Sequence, residues 1–144
     1  MPKKASYLPS GQRFFNFIFK TLVQLGRIPG AHLLRAPGRK SGKMYITPIF
    51  VLKLDGQRWL VAGFKNSDWV KNIRASGWGE LVHDRQVERV KFIEETSAER
   101  ASLLREFVRR APGANRGYTI SPNASLEEYE AIVPEHPIFR ILEA

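Results

Sequence analysis

At 144 residues and a formal net charge of +9, the chain is sized for a single domain, expected to span 1–144 with 1–10 flexible. Hydrophobic residues at 43% and charged residues at 26% exclude a disordered chain, and zero cysteines exclude disulfides, iron–sulfur clusters and cysteine zinc sites. The charge is one-sided: residues 1–54 carry ten basic residues and no acid, whereas 55–144 carry thirteen basic and fourteen acidic ones, so the first part should face an anion.

In chain order, Lys3 and Lys4 precede an apolar stretch, but Arg13, Asn16, Lys20 and Gln24 interrupt it and no small-residue cleavage site follows. It therefore reads as an amphipathic helix from Ser10 to about Gly26 rather than a signal peptide. Pro29-Gly30 breaks the chain, and a strand is expected over 32–36. A long strand is expected over 44–54, apolar on both faces, with Pro48 marking a bulge or bend. Asp55-Gly56 reads as a two-residue hairpin turn leading into 58–63. Asn66 or Ser67 should cap a helix running to Ala75, and a second hairpin pairs 79–83 with 86–93 about Asp84-Arg85. Thr96 with Glu99, and Ser125 with Glu128, read as capping boxes of two further helices. A strand over 138–142 closes the chain. Six short strands joined mostly by tight turns, with an N-terminal helix and three shorter helices, predict an α+β, mainly β, antiparallel barrel.

The densest chemical signal is Gly38-Arg39-Lys40-Ser41-Gly42-Lys43. Glycines let backbone N–H groups turn toward an oxyanion, and arginine offers a fork that fits phosphate. The glycines are one residue too close for a P-loop, and Met44 stands where magnesium would need a hydroxyl. A solvated basic hairpin tip is the alternative. A second basic and aromatic group comprises Lys65, Asn66, Trp69, Lys71, Asn72 and Arg74. His32, His83 and His136 are dispersed in sequence, without a second ligand at metal spacing, so no metal is expected. Glu127, Glu128 and Glu130 read as a solvated helix face. No Gly-x-Ser-x-Gly occurs, which argues against a serine hydrolase. Neither a helix-turn-helix nor a base-stacking signature supports specific nucleic-acid binding.

The run from Leu33 to Lys43, followed by Thr47-Pro48 and an apolar strand, resembles the deazaflavin-dependent nitroreductase family. Val61 to Lys65, then Trp69-x-x-Asn72-Ile73-Arg74-Ala75, and His136 to Arg140 look like its later blocks. The resemblance implies a split β-barrel that binds the polyanionic deazaflavin coenzyme F-420 and passes a hydride to a nitro, enone or quinone-like acceptor. It implies that Arg39, Lys40, Ser41, Gly42 and Lys43 hold the phosphate. Thr47 and Pro48 would flank the ring, Lys65 would reach the phosphate or tail, and Trp69 with Asn72 would frame the cleft. Only three residues separate Lys65 from Trp69, where members of the family have a longer segment. Tyr45 and Tyr118 are the candidate catalytic proton donors. Alternatives of the same fold are FMN, or no redox cofactor, in a protein that binds a fatty acid or another flavin-type ligand without turnover. The expected setting is cytoplasmic, with a peripheral membrane contact through 11–25 and a monomer or homodimer as the assembly.

Overall fold

The computed structural model describes residues 30–111 and 120–144. The helix expected over 10–26, with its membrane contact, and Tyr118 lie outside them. Strands β1 (Ala31–Pro37), β2 (Met44–Leu54), β3 (Gln57–Val61), β4 (Trp78–His83), β5 (Gln86–Glu94) and β6 (Ile138–Glu143) close into one barrel in the order β1-β2-β3-β6-β5-β4. Every pairing is antiparallel. Helices α1 (Asp68–Ser76), α2 (Arg100–Arg110) and α3 (Leu126–Ile132) complete the described residues, with a short 3-10 turn at Val133–Glu135.

The β2–β3 turn works because Asp55 and Gly56 both take positive φ, +52° and +77°, and Asp84 and Arg85 repeat the device at +48° and +67°. Two successive left-handed residues match the natural twist of a hairpin. The expected bulge at Pro48 is absent: the β1–β2 register runs unbroken from Ala31 opposite Phe50 to Pro37 opposite Met44. The Val51 N–H donates to Gly30 O at 2.7 Å, so odd residues of β2 turn their N–H toward β1 and Pro48 turns its ring nitrogen away. β2 pairs with β3 only from Val51 onward. Proline thus occupies a position from which no ladder bond is required.

β2 is apolar on both faces because both are covered. Val51 joins Leu34, Ala36, Leu60, Leu81, Val90, Phe92, Phe139 and Ile141 inside the barrel. Leu52 faces outward with Trp59 and Val61, under Leu104, Phe107 and Val108 of α2 and Tyr129 of α3. The Ser125–Glu128 capping box forms as expected. The one expected at Thr96 does not: α2 starts at Arg100 without a side-chain cap. Ser97 organises that turn instead, its hydroxyl accepting from Glu99 N–H and its carbonyl from Arg100 N–H. Ser67 is the N-cap residue of α1, yet its hydroxyl donates to Phe64 O rather than capping the helix.

The two ends of the barrel differ. Val70 and Ile73 of α1 join the interior cluster, so this helix plugs the end where β1 runs out and β2 begins. Toward the other end, the alternation that puts Leu34, Val51, Leu60, Leu81, Val90 and Ile141 inside continues to His32, Lys53, Arg58, His83, Glu88 and Glu143, one ionisable residue from each strand. Arg58 grips Glu88 through both guanidinium nitrogens at 2.8 Å. The histidines, dispersed in sequence, meet here: His32 and His83 stack with ring centroids 4.7 Å apart. Each uses Nδ1 to donate to a backbone carbonyl, Gly30 O at 2.9 Å and Ala31 O at 2.7 Å. Among the described residues no cluster of three or more metal-ligating side chains forms.

Burial, aided by His83, Arg58 and Lys53, pushes the His32 imidazole below its ordinary value, outweighing the opposing hydrogen bond to Gly30. The folded protein therefore favours the neutral ring, while the unfolded chain takes up a proton near pH 6.5. Stability is full above that pH and falls as pH drops below it through the lowered folded value. Thermal melts between about pH 7.5 and pH 5 should show this loss, and His32→Gln should flatten it. At Gly79, opposite Val90 in the β4–β5 ladder, an added Cβ would meet Arg35 O at 2.8 Å and the Phe92 ring at 3.1 Å. Gly79→Ala should cost about 1–3 kcal/mol in chemical denaturation.

Candidate functional site

The basic loop is the β1–β2 turn, and its own backbone shapes it. Gly38 N–H donates to Lys43 O at 2.7 Å, Gly42 N–H donates to Gly38 O at 2.9 Å, and Lys43 N–H donates to Ser41 Oγ at 3.2 Å. Gly42 closes the turn at φ +75°, a conformation glycine takes without strain. Gly38 is needed for a different reason: a Cβ there would lie 2.5 Å from the Tyr45 ring. The Lys40 and Ser41 N–H groups have no partner among the described residues, and Lys40 forms no ion pair there.

Arg39 fixes this turn to α1. Its backbone N–H donates to Asn72 Oδ1 at 3.0 Å, its Nη1 donates to the same oxygen at 2.9 Å, and its Nη2 reaches Asp68 Oδ1 at 3.3 Å. Asp68 and Asn72 are four residues apart on a helix and so share a face. Asn72 is 4% exposed, the one buried amide or charged side chain among the described residues. A buried amide oxygen must be hydrogen-bonded to be tolerated, and the Arg39 pair of donors does this.

Between turn and helix lies a cavity of about 350 Å³, within the size range of small-molecule clefts. Leu34, Ala36, Ile46 and Trp69 give it an apolar wall, and Gly38, Arg39, Lys40, Ser41, Tyr45, Thr47, Asp68 and Asn72 complete the lining. Trp69 is braced from behind by Phe139, ring centroids 6.2 Å apart. Of the residues expected at the site, Arg39, Lys40, Ser41, Tyr45, Thr47, Trp69 and Asn72 converge here. Gly42 and Lys43 shape the turn without lining the cavity. Pro48 lies further along β2, opposite Leu33. Lys65 is not brought to the cavity either: its ammonium pairs with Glu135 at 3.1 Å in an exposed position. Asp68 went unnoticed in the sequence, although its four-residue spacing to Asn72 is a readable signal.

Asn72→Ala would strand both Arg39 donors. At about 0.5–1.5 kcal/mol for each lost bond, the Arg39 amide should exchange its hydrogen about threefold to tenfold faster, measured residue by residue.

A small closed barrel with a cationic turn facing an apolar wall can hold a flat ring against one side of the cavity and an anion against the other. A family model described as F420H(2)-dependent quinone reductase matches residues 16–122, and the chain belongs to that family, an oxidoreductase family dependent on the reduced deazaflavin coenzyme F-420. Among solved structures, the chain is similar to an F-420-H2-dependent reductase (FDR-A) at 19% identity, covering 78% of this chain and 93% of that one, with a TM-score of 0.54. A structure described as a domain-swapped dimer is similar at 17% identity over 92% of this chain and 99% of that one, TM-score 0.56. An FAD-binding protein from Mesorhizobium loti is similar at 14% identity over 85% and 87%, TM-score 0.52. At these identities the likeness is one of fold. No match is found among curated proteins.

Proposed function

We propose that the protein transfers a hydride from reduced coenzyme F-420 to a small organic acceptor of quinone, enone or nitro type, and that the 38–43 turn receives the coenzyme's phosphate. The observation that carries this reading is the pairing, across one cavity, of an apolar wall with a turn whose Lys40 ammonium and Lys40 and Ser41 N–H groups lack partners among the described residues. These are donors that an oxyanion satisfies. The residues present fit the group: cations and N–H groups for the phosphate, and Leu34, Ala36, Ile46 and Trp69 for a flat ring.

When bound, the coenzyme supplies the hydride, and its chemistry is its own. In this reading Arg39, held by Asn72 through Nη1, offers the phosphate the rest of its guanidinium without first having to be ordered. Lys40 adds a point charge, and the Ser41 hydroxyl, already accepting from Lys43 N–H, donates outward. Trp69 orients the ring and keeps water off that face. Tyr45, 50% exposed at the cavity mouth, is placed to give the acceptor its proton once the hydride has moved. Thr47 lies beside the ring. Gly42, Lys43 and Pro48 act through the shape of turn and strand. Lys65 must leave Glu135 to reach an anionic tail.

Replacing Arg39 and Lys40 together with alanine should weaken coenzyme binding by about 2–5 kcal/mol, at roughly 1.5–3 kcal/mol for each charged hydrogen bond with imperfect additivity. Titration of the purified protein checks this, and an unchanged dissociation constant removes the turn from the site. A long-tailed coenzyme should also lose more affinity between low and physiological salt than a tail-less one, because exposed pairs are screened over about 8–10 Å. Equal salt slopes would assign the basic segment to another partner. Co-purified lipid without coenzyme binding would favour the non-catalytic reading.

A further inference from the structure

Asp68 is an anomaly in a site read as an anion receptor. Its carboxylate lines the same cavity as Arg39 and Lys40 and lies 3.3 Å from Arg39 Nη2, with its side chain 85% exposed. Arg39 Nη1 is committed to Asn72 and Nη2 faces Asp68, so a ligand that approaches Nη2 meets the Asp68 carboxylate. An incoming phosphate must share Arg39 with a fixed negative charge.

We infer that Asp68 is a specificity determinant that selects the ligand by the charge on its phosphate, admitting a phosphodiester and disfavouring a terminal phosphomonoester. The inference rests on the function proposed above and adds to it a charge-based bias against FMN. The phosphate of coenzyme F-420 is a diester and keeps a single negative charge at neutral pH. FMN ends in a monoester whose second ionisation lies near pH 6, so it carries about −1.5 to −2. Both groups gain equally from Arg39 and Lys40 for their first charge. The monoester's second charge is attracted by the same cations and repelled by the Asp68 carboxylate, so Asp68 cuts the advantage a dianion would otherwise have. One extra charge within about 6 Å of an exposed carboxylate is worth about threefold to tenfold in affinity. The discrimination is electrostatic, so it narrows as salt rises.

The test titrates wild-type protein, Asp68→Asn and Glu130→Gln with oxidised coenzyme F-420, FMN and riboflavin at low salt, following ligand fluorescence. Asp68→Asn removes the charge and keeps the shape. Glu130→Gln removes an exposed carboxylate on α3, outside the cavity lining, and controls for net charge. The thermal midpoint of each protein confirms that it is folded. The ratio of the FMN to the F-420 dissociation constant should fall about threefold to tenfold in Asp68→Asn alone, with riboflavin, which has no phosphate, unmoved. A ratio unchanged by Asp68→Asn overturns the inference while the proposed function stands, as does an equal gain for both phosphorylated ligands. FMN binding too weak to measure in Asp68→Asn overturns it too. Failure of coenzyme F-420 to bind any of the three proteins overturns the proposed function, and the inference with it.

Discussion

Asn72 Oδ1 joins the two halves of the site. One buried oxygen accepts from both the backbone and the side chain of Arg39, tying a loop between two strands to a helix that begins almost thirty residues later. For an oxygen as buried as that of Asn72, an acceptor left unpaired costs more than a made bond returns, so each partner holds the other in place. The turn needs this anchor because it has little else. Its hydrogen bonds are internal, and it contributes nothing to either buried cluster. Trp69, one turn earlier on the same helix, is placed against the cavity by the same docking.

The barrel keeps its chemistry apart by ends. The plugged end has an apolar floor, Leu34 and Ala36 of β1, beneath the cationic turn. Two residues back along β1 the same inward side carries His32 against His83, and the opposite end becomes a layer of ionisable groups. Among the described residues no helix caps that end: α2 and α3 cover the outward face of β2 and β3, and α1 plugs the other end. Charged and imidazole side chains close an end that would otherwise expose apolar core, and Arg58 with Glu88 neutralises part of that layer. On the proposed reading, the arrangement makes stability sensitive to acid at one end and coenzyme binding sensitive to salt at the other.

Much of the fold was readable because local rules agreed with the global outcome. Asp55-Gly56 and Asp84-Arg85 lie where the turns are, the 44–54 strand has the boundaries its composition suggested, and Ser125 with Glu128 caps its helix. The errors fell where a local signal had a competitor. Thr96 makes no capping box because the Ser97 hydroxyl takes the Glu99 N–H that it would have used, and the helix starts later, at Arg100. Pro48 needed no bulge because strand pairing left its nitrogen facing an unpaired edge. The histidine pair was invisible, since only barrel closure brings β1 beside β4. At the cavity, residue type was enough to anticipate that Arg39, Lys40, Ser41, Trp69 and Asn72 come together. It did not show that Lys65 pairs with Glu135, seventy positions away, or that Asp68, an acid, joins the cations in the lining.

The central claim is that the coenzyme lies between the 38–43 turn and α1, at the plugged end of the barrel. Amide chemical shifts recorded while oxidised coenzyme F-420 is added test it most directly. Lys40, Ser41, Asn72 and the Trp69 indole N–H should move together with one saturation curve, while His32, His83 and Glu88 stay where they are. Shifts concentrated on His32, His83 and Glu88, with the turn unmoved, would contradict the account.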